Sequence, residues 1–200
     1  MSRNKYIIIE REYGSGGTQI ARELSSRINV PCYGREILEK LSEESNISVD
    51  SIERYEEKAT NSLLYSVYLM SQAVSGSMDM LTKEGHIYVA EQNIIQRFAK
   101  KGPAIFLGHC ASEALKEYDN VIKVFIRCSD DNIKRQRIID TYGIPANETD
   151  IVRRKFDKKR SNYYNINTER KWNDFNEYDI VLDSATIGIE GCVNMLETIF

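Results

Sequence analysis

The chain has 200 residues, 42% of them hydrophobic and 28% charged, with a net charge of −3. This is the size and balance of one globular domain able to bury a core, and it argues against general attraction to nucleic acid, so a phosphate site would have to be a local cluster of basic residues. No stretch approaches the ~20 apolar residues of a membrane span, Arg3 and Lys5 precede only four apolar residues, and Cys32, Cys110, Cys128 and Cys192 show no C-x-x-C. A cytoplasmic protein with reduced core thiols is the expectation.

The first element organises the rest. Tyr6-Ile7-Ile8-Ile9-Glu10 reads as a strand, Arg11 to Thr18 as a glycine-rich turn, and Ile20, Leu24 and Ile28 as one apolar face of a helix. A strand leading through glycines into a helix N-terminus offers backbone N–H groups and a positive dipole end to an anion. Glycine lets phosphate approach the main chain and tolerates φ > 0. The turn departs from two known patterns. G-x-x-x-x-G-K-[ST] would need Gly at 11 and Lys at 17, where the chain has Arg11 and Gly17; Gly16 and Thr18 fit. G-x-G-x-x-G fails at Gln19.

Val30 to Gly34 reads as a second strand and Arg35 to Glu44 as a helix with Ile37, Leu38 and Leu41 on one face. Ser48 caps the next helix, which is densely charged from Val49 to about Ala59. Asn61 to Leu81 is apolar and aromatic, fit for the core, for a wall against a substrate base, or for a homodimer. Lys83 to Lys101 is amphipathic and stops at Gly102-Pro103. Ala104 to Gly108 is a buried strand, Cys110 to Tyr118 a short helix, and Val121 to Arg127 a strand. Helices follow at Asp130–Tyr142 and Glu148–Tyr164, then a strand at Tyr178–Leu182 and a helix at Ile187–Ile199. Strands alternating with helices predict an α/β fold, a parallel sheet covered on both faces. Its ligands would bind at the carboxyl ends of the strands, along the loops at 11–18, 33–36, 108–110, 127–130 and 183–186.

With these elements placed, the chain resembles the cytidylate kinase-like family within the P-loop nucleoside monophosphate kinases. The resemblance rests on Arg11-Glu12-Tyr13-Gly14-Ser15-Gly16-Gly17, Pro31-Cys32-Tyr33, Gly108-His109-Cys110-Ala111, and the run from Asp157 through Arg160, Tyr163, Tyr164, Trp172, Tyr178 and Asp179 to Asp183-Ser184. It implies a three-layer α/β/α fold with a five-stranded parallel sheet in the order 2-3-1-4-5. It also implies a helical monophosphate-binding region over about 35–101 and a lid over about 145–175. ATP with Mg²⁺ would be the cofactors, and CMP or dCMP the acceptor. Cytidylate kinases carry R-x-x-x-D-x-x-R in the lid, which Arg153, Asp157 and Arg160 match. These lie at i, i+4 and i+7, so they share a helix face, with Asp157 able to hold both arginines.

The resemblance further implies that Gly14, Ser15, Gly16 and Gly17 cradle phosphates and that Thr18 holds Mg²⁺. Arg135 or Arg137 would reach the adenine or its phosphates, and Asp183 and Ser184 would border the base. Tyr33, Arg35 and His109 fall on the acceptor side; Trp172 would anchor the core or lid, and His86 has no role. The departures lie on the same rim: Gly17 for the phosphate-bridging lysine, Thr18 for a frequent arginine, Gly34 for an aspartate, His109 for an arginine, and no aspartate closing Ala104–Gly108. Either Arg11 replaces the lysine, or the protein binds nucleotide without turning it over. A kinase for another small acceptor is the third possibility.

Overall fold

A computed structural model of the chain describes residues 5–53 and 83–200. Five strands, β1 (Tyr6–Arg11), β2 (Cys32–Tyr33), β3 (Ala104–Leu107), β4 (Val121–Arg127) and β5 (Ile180–Asp183), form one sheet in the order β2-β3-β1-β4-β5. Every neighbouring pair is parallel. The expected strand order is therefore present. β1 lies in the centre, between β3 and β4, which is why Tyr6 to Glu10 is buried without a break.

Side chains alternate across a strand, and the two faces of β1 feed two different cores. Ile7 and Ile9 pack with Ile20 and Leu24 of α1 (Gly17–Ile28) and with Cys192, Val193 and Leu196 of α7 (Gly188–Ile199). Tyr6 and Ile8 pack with Ile37, Leu38 and Leu41 of α2 (Arg35–Ser45) and with Ile94, Ile95 and Phe98 of α3 (Lys83–Ala99). Fully burying one such aliphatic side chain contributes about 1.5–3 kcal/mol, so these clusters fix where the strand ends stand. Two further helices, α5 (Asp131–Tyr142) and α6 (Thr149–Thr168), rise beyond β4. A third cluster of Cys110, Phe125, Tyr164 and Trp172 ties the end of α6 to the sheet.

Some boundaries differ from the sequence reading. The helix after β3 is only α4 (Ala111–Ala114), because Gly108, His109 and Cys110 all take positive φ and turn the chain first. β2 spans two residues, as Pro31 has no N–H to lengthen an edge strand. β5 starts at Ile180, since the Tyr178 N–H closes a turn onto the Phe175 carbonyl. α6 runs on to Thr168, four residues past the expected end. The Ser48 cap is present, its Oγ accepting the Ser51 N–H at 3.3 Å; residues beyond 53 and the 61–81 helix lie outside the described residues. All four cysteines are free thiols. No described helix is long and apolar enough to cross a membrane.

Candidate active site

The turn between β1 and α1 is held in shape from inside. Ser15 is wholly buried; its Oγ donates to the Glu12 carbonyl at 2.8 Å and accepts the Gly17 N–H at 3.3 Å. Gly14 and Gly16 both sit at φ 80, a left-handed conformation that glycine adopts without strain. A Cβ on Gly16 would also stand 2.3 Å from Cδ1 of Ile189. From outside, Arg137 donates to the Ser15 carbonyl at 3.0 Å and to the Ser184 Oγ at 2.8 Å, while Ser184 Oγ donates to the same carbonyl at 2.6 Å.

Arg11 ends β1 and lies across the floor of this turn. A Cβ on Gly17 would be 2.5 Å from Arg11 Cβ, and a Cβ on Gly108 would be 2.5 Å from its Nη1. The side chain thus runs through a slot that two glycines, 91 positions apart in sequence, leave open. Its Nε is enclosed and accepted by no hydrogen-bond partner. Burial, and then the Arg160 charge beside it, push its guanidinium down to about 9 against the upward pull of Glu10, so it remains a cation at neutral pH. Neither neighbouring carboxylate pairs with it. Glu10 is buried and accepts the Trp172 Nε1–H at 3.0 Å, and Glu12 accepts the Cys128 N–H and the Lys134 ammonium, both at 2.9 Å.

Among the described residues, three cavities meet at Arg11. The first, about 410 Å³, is lined by Gly14, Gly16, Gly17 and Thr18 with Arg137, Tyr142 and Arg160. A second, about 440 Å³, lies between α1 and the β2–α2 turn and is lined by Thr18, Arg22, Gly34, Arg35 and His109. A third, about 260 Å³, reaches from Arg35 and His109 to Lys159, Arg160 and Tyr163 of α6.

α6 is fastened over the turn. Asp157 Oδ1 accepts the Tyr13 N–H at 2.7 Å, and Arg160 donates to the Arg11 carbonyl at 2.9 Å. The Tyr13 ring lies between Tyr142 (4.9 Å) and Phe156 (4.6 Å), with the Arg160 guanidinium 5.6 Å from its centre. Burial raises the Asp157 pKa, opposed by the Tyr13 N–H and by Arg160. Burial lowers that of Arg160, opposed by Asp157 and Glu10.

Among the residues singled out in the sequence, Arg11, Gly14, Gly16, Gly17, Thr18 and Arg160 line the first cavity, and Arg11, Thr18, Arg35 and His109 the second. The others stand elsewhere. Arg153 pairs with Asp131 at 3.4 Å and Asp150 at 3.6 Å, so Asp157 does not hold both lid arginines. Arg135 is bound to Asp150 at 2.9 Å, and Arg137 faces the cavity instead, the alternation along α5 deciding between them. Asp183 accepts the Ser129 and Ala185 N–H groups at 3.0 Å each and braces its own loop. Tyr33 stacks on Phe98 at 4.1 Å. Trp172 is 5% exposed and packs edge-to-face on Phe125.

Arg22 and Glu91 were not singled out. Arg22 falls four residues after Thr18 on α1, a spacing legible in the sequence. Glu91, with no exposure, accepts the Tyr163 hydroxyl and lies 4.0 Å from His109 Nδ1; nothing local marks it.

A phosphate chain fits what is present: glycines whose Cβ positions are occupied by packing, an enclosed arginine Nε, and a threonine at the helix start. For a metal the fit is narrower. The described residues include no group of three His, Cys, Asp or Glu able to hold one, so Mg²⁺ would arrive with the nucleotide and meet the Thr18 hydroxyl.

A model of the cytidylate kinase-like family matches residues 6–186. The chain belongs to that family. An uncharacterised protein from Eubacterium ventriosum is 25% identical and superposes with a TM-score of 0.71 over 96% of each chain. Shikimate kinase from Bacteroides thetaiotaomicron (13% identity, TM-score 0.52, 96% of each chain) and TT1252 from Thermus thermophilus (12%, 0.52, 98% of each) share the fold. No curated protein matches the sequence.

Proposed function

We propose that the chain is a phosphotransferase that uses ATP with Mg²⁺ and passes the terminal phosphoryl group to a nucleoside monophosphate, CMP or dCMP. The observation that carries this reading is the Arg11 side chain, charged and packed through the Gly17–Gly108 slot at the meeting point of the cavities. Phosphoryl transfer needs positioning and positive charge on the equatorial oxygens of the moving group. Arg11 supplies that charge from the strand end, where the usual loop would reach with a lysine from position 17. Gly14, Gly16 and Gly17 would admit the phosphates, Thr18 would hold the metal, and Arg160 would face the transfer from α6. Bound Mg²⁺ would neutralise charge on the outer phosphates. The acceptor lies in the cavity of Arg35 and His109, whose altered residues, Gly34 and His109, set its choice.

The test combines calorimetry with ATP·Mg²⁺ and ADP release with CMP, dCMP, UMP and AMP. Arg11→Ala should lower turnover by about 10²–10³, the usual loss for one preorganised stabilising donor. A second reading, a nucleotide-binding regulator, draws on Glu12, whose carboxylate is engaged by Lys134 and the Cys128 N–H. Saturable ATP binding with no turnover on any acceptor, nucleotide or not, would decide for it.

A further inference from the structure

The second cavity is walled by more positive charge than one acceptor contact requires. Arg11, Arg22 and Arg35 face it; Arg35 is shared with Glu39 at 3.3 Å and Glu53 at 3.9 Å, and the lining carboxylate, Glu36, accepts the Gly34 N–H at 2.8 Å. Among the described residues, three line both this cavity and the first: Arg11, Thr18 and Arg22. They therefore mark the wall through which a group must pass between the two. Arg11 is held in its slot; Arg22 is exposed and free to reach.

Arg22 is one helical turn past Thr18, helical side chains lean toward the N-terminus, and the two residues line both cavities together. An exposed helical arginine is ordinarily a solvated surface charge, but its surroundings here differ. It forms no ion pair among the described residues, and its neighbour Glu23 accepts instead from Gln19 at 2.8 Å. Beside it, the Arg11 Nε is enclosed without a hydrogen-bond acceptor. The two cations thus flank one space, one enclosed and one exposed, and among the described residues neither is in an ion pair with a carboxylate.

We propose that Arg22 is a catalytic residue that contacts the phosphoryl group in transit and shares with Arg11 the charge of the missing lysine. This rests on the functional reading above. As the acceptor oxygen bonds to the terminal phosphorus, the bond from that phosphorus to the bridging oxygen breaks, and its electron pair leaves with the diphosphate. Negative charge on the three equatorial oxygens is then met by Arg11 from the strand side and by Arg22 from the helix side.

The experiment compares wild type, Arg22→Gln and Arg22→Lys in three measurements: turnover with ATP and CMP, calorimetric binding of inorganic tripolyphosphate, and thermal melting. Arg22→Gln should lower kcat about 10²-fold, raise KM for ATP and weaken tripolyphosphate to a similar extent, about tenfold each, and leave the melting temperature unchanged. Arg22→Lys should recover part of kcat. If wild type turns over no acceptor, the functional reading fails, while tripolyphosphate affinity still decides the ligand role of Arg22. Turnover or, in its absence, tripolyphosphate affinity within twofold of wild type in Arg22→Gln overturns the proposal, as does a wild type that does not bind tripolyphosphate.

Discussion

Restoring the lysine of the usual phosphate loop should damage this protein, and removing Arg11 should repair the damage. A Cβ on Gly17 would stand 2.5 Å from Arg11 Cβ and 2.9 Å from its Cγ, against an optimum of about 3.5–4.0 Å between carbons. The closest atom is itself a Cβ, which no rotamer can move, so the strand end or the helix start must shift. Overpacking of this kind costs about 1–3 kcal/mol. Alanine at the helix start returns up to about 1 kcal/mol of propensity. In a chain of this size each kcal/mol lowers Tm by about 2–4 °C. Gly17→Ala should therefore melt several degrees below wild type, and Gly17→Lys at least as far. Arg11→Gly removes both contact atoms, and the double variant Arg11→Gly, Gly17→Lys writes G-x-x-x-x-G-K-T across positions 11–18. Thermal melts of the four proteins in that cycle should give a favourable coupling of about 1 kcal/mol or more. Turnover in the double variant should exceed that of either single variant. Additivity within about 0.5 kcal/mol, or a Gly17→Ala protein that melts with wild type, would refute the reasoning.

Gly108→Ala places a Cβ 2.5 Å from Arg11 Nη1 at a residue with φ 80; the left-handed conformation costs about 1–2 kcal/mol, and the displaced guanidinium should cost turnover beyond that loss, so unchanged turnover would count against Arg11. Asp157 has a raised pKa, so it binds its proton more tightly when folded, and stability falls as pH rises from about 4, its ordinary value, up to the folded pKa. Asp157→Asn keeps an oxygen for the Tyr13 N–H but cannot ionise, so its Tm relative to wild type should rise across that window, and curves that run parallel to wild type would reject the assignment. Trp172→Phe removes the donor to Glu10, itself 5% exposed, and should cost about 1–3 kcal/mol in urea denaturation; a loss below about 0.5 kcal/mol would show the carboxylate finding another donor.

Local pattern carried the architecture. The run Tyr6–Glu10, the glycine-rich turn and the spacing of Ile20 and Leu24 define strand, turn and helix through interactions a few residues long, and the alternation of such units leads to a parallel sheet. The glycines, Thr18 and the missing lysine were legible for the same reason. Tertiary packing decided what these residues face. Gly17 reads as a lost lysine until folding brings the Arg11 side chain across it and Gly108 to the far end of that side chain. Arg153 has the spacing of a lid residue, yet the approach of α5 to α6 gives it Asp131, beside Asp150 one turn earlier on its own helix. Arg135 and Arg137, two residues apart, are separated by the turn of one helix, which sends the first to Asp150 and the second to the phosphate loop. Charge acts through space, and carboxylates distant in sequence choose which arginines they neutralise. The sequence alone determined the scaffold and the loop; the fold decided which cations remain for a phosphate.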